Sequence, residues 1–478
     1  MTQARPVYLA GEWETSEQTV VSREPGSGAE IGAVHLATAE QLDRATAAAV
    51  AAFEQTRRMA SYERSDALHR IADGLRDRRE EFGRMLAREA GKPLADSLVE
   101  VDRTVFAFRH AAEEAVRIQG EVLPLDVIPS ARGKWAITRR MPLGPVAGIS
   151  PFNVPLSLSA HKLAPAIAAG DSIVLKPDTR VAGTLLMLAE VIDDAGLPAG
   201  AVSVLPMDVA VADAMVTDPR FALLSFTGSA RVGWDMRARA GSKHVVLELG
   251  GDGAVVVAPD ADLDRVMGRL LVGGFKYAGQ ICISVQRVLV HASRIDELRE
   301  RLVEGARGLR VGDPLEDGVD LGPMISEDAA MRAVGLVEEA VASGADLLTG
   351  GTRDRAYVRP AVLEHVPPTV RLAREEAFAP IVTLESFERM QEAWDAVNAS
   401  AYGLQAGVFT DDLPTIWEAF EELRVGGVIV NDVPTFRVDH MPYGGMKESG
   451  VGREGIRYAI EHMTELRTLV VNTDRPAR

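Results

Sequence analysis

A single cysteine, Cys282, stands in the 478 residues of this chain. That excludes an internal disulfide and any cysteine-built metal cluster. Histidine is sparse too: the nine His show no paired spacing such as H-x-x-x-H, so no metal is expected. No apolar run reaches the ~18 residues that a membrane-spanning helix needs. The apolar region 154–175 is interrupted by His161, Lys162 and Asp171. The opening Met1-Thr2-Gln3-Ala4-Arg5-Pro6 lacks the apolar core of a signal peptide, so a cytoplasmic protein is expected. Positive charge is in deficit. The net charge of −17 argues against nucleic acid or an anionic membrane as the main partner.

What is present suits a globular enzyme, with 47% hydrophobic and 25% charged residues. The length is more than one domain needs, and two or three are expected. Residues 7–36 read as short strands, and helical patterns follow at 39–59, 62–90 and 94–119, stopped by Gly91 and Gly120. The segment 124–142 mixes polar and apolar residues and reads equally as a linker or an extended ribbon. From Gly144, strand and helix alternate as far as Leu247, which predicts a parallel sheet with helices on both faces. A second alternating region begins after Gly251, with helical patterns at 262–278, 293–309, 326–344, 388–400 and 411–424. Its strands are expected at 254–257, 285–290, 380–386, 404–409 and 427–430. Residues 433–452 read as a long loop, and a short helix at 454–463 precedes a last strand at 466–471.

Chemistry concentrates between Glu248 and Ser284. Glu248-Leu249-Gly250-Gly251 opens the stretch and Gly279-Gln280-Ile281-Cys282 nearly closes it. A lone cysteine is ordinarily a small buried hydrophobe. This one sits on a connection entering a strand, beside a glycine that permits close backbone approach, where reactive side chains tend to be displayed. A thiolate attacks an aldehyde to give a thiohemiacetal; loss of hydride to a nicotinamide leaves a thioester, which a carboxylate-activated water hydrolyses. The chain also offers nucleotide signals. Phe226-Thr227-Gly228-Ser229 joins a strand to a helix, with Ser229 placed to cap the helix facing a phosphate. Lys176 follows a strand directly, and is either a ribose contact or a solvated lysine before a proline turn. Asn153, between Pro151 and Pro155, is either turn chemistry or a fixed amide for an oxyanion.

Together these stretches resemble the NAD(P)-dependent aldehyde dehydrogenase superfamily, and within it the family 21-like members and the branch of lactaldehyde and non-phosphorylating glyceraldehyde-phosphate dehydrogenases. Matching segments are 150–155, 176–177, 226–233, 248–251, 279–282, 376–380 and 443–455, in the family's order. The resemblance implies an α/β fold with three parts: a Rossmann-type cofactor domain (1–123 and 143–248), an α/β catalytic domain (249–453), and a small β oligomerisation element (124–142 and 454–478). It implies Cys282 as nucleophile, Glu248 as general base, and Asn153 with the Cys282 backbone N–H as oxyanion hole. Lys162 and Glu454 match a proton-relay pair. Lys176 and Glu376 match ribose contacts, Phe378 lies by the nicotinamide, and Ser229 lies by the pyrophosphate. Ile149, Ser150, Phe152, Thr179, Phe226, Gly228 and Leu249 complete the cofactor positions. A homodimer or homotetramer is implied.

Thr179 stands where NAD-preferring relatives often carry Glu. NADP is therefore expected to be accepted as well as NAD, and a preference for NADP is compatible with this residue. Arg437, with Arg103, either binds a small anion on the substrate or, through Asp439, fixes its own loop. Ile281 and Val154 replace polar residues that phosphate-binding relatives often carry, so a short hydroxy- or carboxy-aldehyde fits better than a phosphorylated one. Two other readings compete. A CoA-acylating semialdehyde dehydrogenase would not need Glu248, and a catalytically idle homologue would not need Cys282.

Overall fold

The computed structural model describes residues 4–473. Four helices come early: α1 (Ala39–Thr56), α2 (Ser61–Asp77), α3 (Arg79–Ala90) and α4 (Leu94–Ala115). Thr38 and Gln41 close a reciprocal capping box on α1, and Gly91 ends α3 in the left-handed conformation. The pattern expected as one helix over 62–90 is two, broken at Arg78. Neither Gly nor Pro marks that break. Arg78 instead turns its guanidinium to Glu81 and Glu190 and over the Phe82 ring. The third pattern also ends early, at Ala115 rather than 119. Gly120 is no helix stop: a Cβ there would strike the carbonyl of Thr138.

The Val- and Ile-rich runs after Gly144 form the interior of an eight-stranded sheet. Its spatial order is Glu12–Glu14, Val7–Leu9, Val202–Val204, Ile173–Lys176, Val146–Ile149, Leu223–Thr227, His244–Glu248, Gly450–Val451. The five inner strands are parallel, and the strands beyond them at both ends are antiparallel. Between them run α5 (Pro155–Ala169), α6 (Ala182–Asp193), α7 (Val209–Thr217) and α8 (Ala230–Arg239). Every residue of α5 is buried, as befits a helix that is apolar nearly all round. Among the parallel strands, Val146–Ile149 comes first in the chain and lies in the middle. Strand order therefore reverses between it and Leu223–Thr227, and the crevice at such a switch point is where doubly wound sheets take nucleotides.

A seven-stranded sheet follows the order Asp346–Thr349, Ala361–Glu364, Ile381–Phe387, Arg287–His291, Ala254–Val257, Gln405–Phe409, Gly427–Val430. All neighbours are parallel except the first pair. The pattern expected as a helix over 262–278 is α9 (Leu263–Phe275) followed by a tight turn over Lys276–Gly279. The region expected as one long loop, 433–452, contains two short strands, Met446–Lys447 and Gly450–Val451. The first two strands of this sheet had no counterpart among the expected strands.

Segment 124–142 is no bare linker. Val122–Pro124, Lys134–Pro142 and Thr464–Asn472 form an antiparallel sheet, the last two paired in unbroken register from Thr464↔Pro142 to Asn472↔Lys134. Of the expected oligomerisation span, residues 474–478 lie outside the described residues. Leu466, Leu469 and Val470 on the edge strand are exposed. Among the described residues no helix is long and apolar enough to cross a membrane, and no cluster of acidic, His and Cys side chains could hold a metal.

Candidate active site

Glu248 ends the last parallel strand of the first sheet, and Cys282 precedes the strand Arg287–His291 of the second. Both line one cleft of about 550 Å³ between the sheets, with Phe152, Asn153, Gly228, Ser229, Leu249, Glu376 and Phe378. Nine of the residues expected from sequence thus meet in one place. Thr227, Arg231, Arg332, Glu375 and Tyr402 line it too, without having been expected. Thr227 and Arg231 belong to the segment 226–233 already singled out; nothing local marks Arg332, Glu375 and Tyr402, which the packing of the two sheets brings there.

Local backbone explains the glycines. A Cβ on Gly250 would collide with the Glu376 carboxylate, and Gly251 N–H donates to the same carboxylate at 3.3 Å. Gly279, at φ 68°, backs onto the Ala379 carbonyl, where a Cβ would not fit. Gly250 after Glu248 and Gly279 before Cys282 therefore let the segment from Glu376 to Ala379 press against both stretches. Tyr277 and Ala278 are also left-handed, at φ 51°, a strained approach to Cys282. The Tyr277 hydroxyl donates to the carbonyl of Ala90 at 2.7 Å and anchors that turn to the end of α3.

Asn153 is buried, and its Nδ2 donates to the Gln280 carbonyl at 2.9 Å. A carboxamide has two N–H donors, so this bond fixes the amide and leaves one donor over. The elbow before α5 is set by Glu100, whose Oε1 accepts from Leu156 N–H (2.9 Å) and Ser157 N–H (3.3 Å) and whose other oxygen pairs with buried Lys92.

Behind Glu248 lies a buried charge cluster. Both Glu248 oxygens are buried without a hydrogen-bond partner among the described residues. Burial first, and then the charge of Glu454, pushes the Glu248 carboxyl well above the usual range. Lys162 Nζ donates to Thr227 Oγ1 (2.8 Å) and Ser225 Oγ (3.1 Å) and stands 3.9 Å from Glu454. Burial lowers the Lys162 ammonium, with Glu454 opposing. Burial would raise Glu454 as well, but Arg437, with His161 and Lys162, holds it below the ordinary range.

Cys282 Sγ is 3.0 Å from the Tyr443 hydroxyl. Burial pushes the thiol up to about 12, against the pull of that contact. Sequence reasoning placed Tyr443 within a matching segment but gave it no role. Arg437 lies over the Tyr443 ring at 3.8 Å and donates to Glu454 at 2.9 Å; its approach to Asp439 is 4.0 Å. Arg103 grips Asp439 with two bonds, at 2.6 and 3.0 Å. Both arginines are thus engaged by carboxylates, and neither lines the cleft.

The cleft has the chemistry of a dinucleotide site. Ser229 heads α8 but makes no side-chain cap, contrary to expectation, and Ser229, Ala230 and Arg231 all line the cavity at the helix N-terminus. Phe226 is buried beneath Gly228, where a Cβ would meet its ring at 2.5 Å. Ile149 and Lys176 are register partners at adjacent strand ends, and Ser150 N–H donates to the Lys176 carbonyl. Burial lowers the Lys176 ammonium. Thr179 opens a short helical turn capped by Asp178, which also pairs with Arg180. Phe152 meets Phe378 edge to face at 6.0 Å, and burial pushes Glu376 up to about 7. These residues fit a nicotinamide dinucleotide: amides for phosphate, polar groups at strand ends for ribose, and aromatic edges for the ring.

A family model described as the aldehyde dehydrogenase family matches residues 13–469. The chain is 42% identical over 467 residues to 3-sulfolactaldehyde dehydrogenase of Priestia megaterium, covering 98% of each chain. Among solved structures it is similar to aldehyde dehydrogenase 21 from Physcomitrella patens in complex with the reaction product succinate. That match has a TM-score of 0.97, 43% identity and 99% coverage of both chains. It is also similar to NADP-dependent glyceraldehyde-3-phosphate dehydrogenase from Bacillus halodurans complexed with NADP. There the TM-score is 0.96, with 34% identity and coverage of 99% of this chain and 100% of the other.

Proposed function

This chain belongs to the aldehyde dehydrogenase family, and on that ground we propose how its residues divide the work. It is an NAD(P)-dependent oxidoreductase that converts a small aldehyde to the free carboxylic acid. Cys282, its proton lost to solvent, bonds the aldehyde carbon through Sγ as a thiolate. The carbonyl electron pair moves onto oxygen, where the second Asn153 N–H and the Cys282 backbone N–H receive it. NAD(P)⁺, when bound in the cleft, supplies the acceptor for the hydride of the aldehyde carbon. The acyl group is then a thioester on Sγ. Glu248 draws the proton from the water that cleaves it, and Lys162 and Glu454 carry that proton onward. Ser229 holds the pyrophosphate, Lys176 and Glu376 the riboses, and Phe378 the nicotinamide.

The observation that carries this reading is the meeting of Glu248, Cys282 and Asn153 on one cleft. It disfavours transfer of the acyl group to CoA, which needs no water-activating carboxylate. For the substrate we propose a short hydroxy- or carboxy-aldehyde. Arg103, whose side chain is 34% exposed, is the better placed of the two arginines to meet a distal anion, and 7% exposed Arg437 the worse. Thr179 leaves room for a 2′-phosphate, which supports use of NADP with NAD. The exposed apolar edge strand Thr464–Asn472 supports a homodimer or homotetramer. A nucleophile that must stay reduced fits the cytoplasm. The test is a panel of short aldehydes assayed with each cofactor for reduced nicotinamide. The wild type produces acid without CoA, and Cys282→Ala produces none; a Cys282→Ala variant as fast as the parent rejects the assignment.

A further inference from the structure

Tyr443 has a position that the reaction above does not use. Its ring is buried, and its hydroxyl contacts Cys282 Sγ at 3.0 Å, the sole hydrogen-bond partner of that hydroxyl among the described residues. The ring is held from several directions. Tyr443 N–H donates to the Glu454 carbonyl at 3.0 Å, and Glu454 N–H returns the bond to the Tyr443 carbonyl at 2.6 Å. The Arg437 guanidinium covers one ring face, itself fixed by Glu454. A cation on the ring face draws electron density from the phenol and strengthens its O–H as a donor. Tyr443 does not line the cofactor cleft, so it meets the sulfur from elsewhere.

When Sγ bonds the aldehyde carbon, it changes from thiolate to thioether and becomes a weak acceptor. The Tyr443 O–H then loses its partner inside a buried site. An unmet buried donor costs about 1–3 kcal/mol. The new acceptor must lie beside the sulfur. The oxygen on carbon 1 is claimed by Asn153 and the Cys282 N–H. An oxygen on carbon 2 that stands gauche to Sγ is within the range that a hydroxyl already touching Sγ can reach.

We propose that Tyr443 is the residue that reads carbon 2: its O–H, released from Sγ in the thiohemiacetal, donates to a hydroxyl oxygen there, so that 2-hydroxyaldehydes are selected over their 2-deoxy counterparts. This rests on the reading of Cys282 as nucleophile and narrows its substrate class. Sulfolactaldehyde and glyceraldehyde 3-phosphate, named for two of the similar proteins, both carry that hydroxyl, whereas the succinate formed by a third does not. A site built around such a donor discriminates strongly against the analogue lacking its partner.

The test compares lactaldehyde with propanal, equal in carbon number, as purified substrates at concentrations corrected for hydrate. In the wild type, kcat/KM for lactaldehyde exceeds that for propanal by at least tenfold. In Tyr443→Phe that ratio falls at least tenfold, whatever happens to either rate. A wild-type ratio near one overturns the proposal without any variant. So does a Tyr443→Phe ratio within twofold of the parent's, which would mean that the hydroxyl serves the sulfur or the carbon 1 oxygen equally for every substrate. A wild type inactive across the whole panel of short aldehydes, with either cofactor, instead overturns the reading of the site on which this one rests.

Discussion

Glu454 is gripped by Arg437 at 2.9 Å, and it presents its charge to Glu248 from within the protein. Burial first, and then the charge of a Glu454 that Arg437 keeps ionised, holds Glu248 protonated beyond the ordinary carboxylate range. Glu248 must be ionised to draw a proton from water. Hydrolysis of the thioester therefore speeds up as pH rises through a window above that range. Glu454→Gln removes the like charge, Glu248 ionises sooner, and the ascending limb moves to lower pH by on the order of one unit. Single-turnover release of acid across pH checks this; an unmoved limb would remove Glu454 from the role.

Glu248→Gln separates the two half-reactions. Acyl-enzyme formation continues as a burst of about one reduced nicotinamide per site, and steady-state turnover falls by about 10²–10⁴. Stopped-flow absorbance reads both phases. Undiminished turnover would show that water is activated by some other group.

Burial pushes Glu376 up to about 7, so it is protonated below neutrality and ionised above it. In the proposed role at the ribose, a carboxylate would accept hydroxyl hydrogens better than the protonated acid would. Affinity for cofactor is therefore expected to rise between about pH 6 and 8 and to become flat in Glu376→Gln, as titrated by nicotinamide-cofactor fluorescence.

Thr179→Glu tests the 2′-phosphate. A carboxylate there repels NADP and accepts the free 2′-hydroxyl of NAD. KM for NADP rises by about tenfold or more, equivalent to about 1.4 kcal/mol, while KM for NAD changes little.

Lys92 and Glu100 form a nearly fully buried ion pair beneath the elbow that carries Asn153. Lys92→Met leaves the Glu100 carboxylate without its counter-ion and costs about 3–5 kcal/mol of stability, read from the denaturant midpoint. Retained stability would mean that the helix amides alone satisfy the carboxylate.

Sequence carried the parts of this site that are local and chemically unusual. A lone Cys after Gly-Gln-Ile, and a Glu before Leu-Gly-Gly, are visible because the tight approaches of Gly250 and Gly279 leave their mark in the chain. Tyr443 is different. A phenol beside glycines is unremarkable until folding sets its oxygen against a sulfur 161 residues away. The strand Ala361–Glu364 escaped because it is four residues long, follows Pro360, and ends in a charged residue that only Arg299, from another element, makes tolerable. The break at Arg78 escaped for a similar reason: what accompanies it is an ion pair with Glu190 on α6, a contact between distant residues, and not a residue that disfavours helix.

Gly450–Val451 pairs with the end of the strand bearing Glu248, and a side chain at Gly450 would strike the Leu247 carbonyl. The segment that supplies Arg437, Tyr443 and Glu454 is thus stitched to the opposite half of the molecule by backbone. Anyone grafting a relative's version of it to retarget the enzyme would have to carry this stitch across intact, or lose the general base along with the old selectivity.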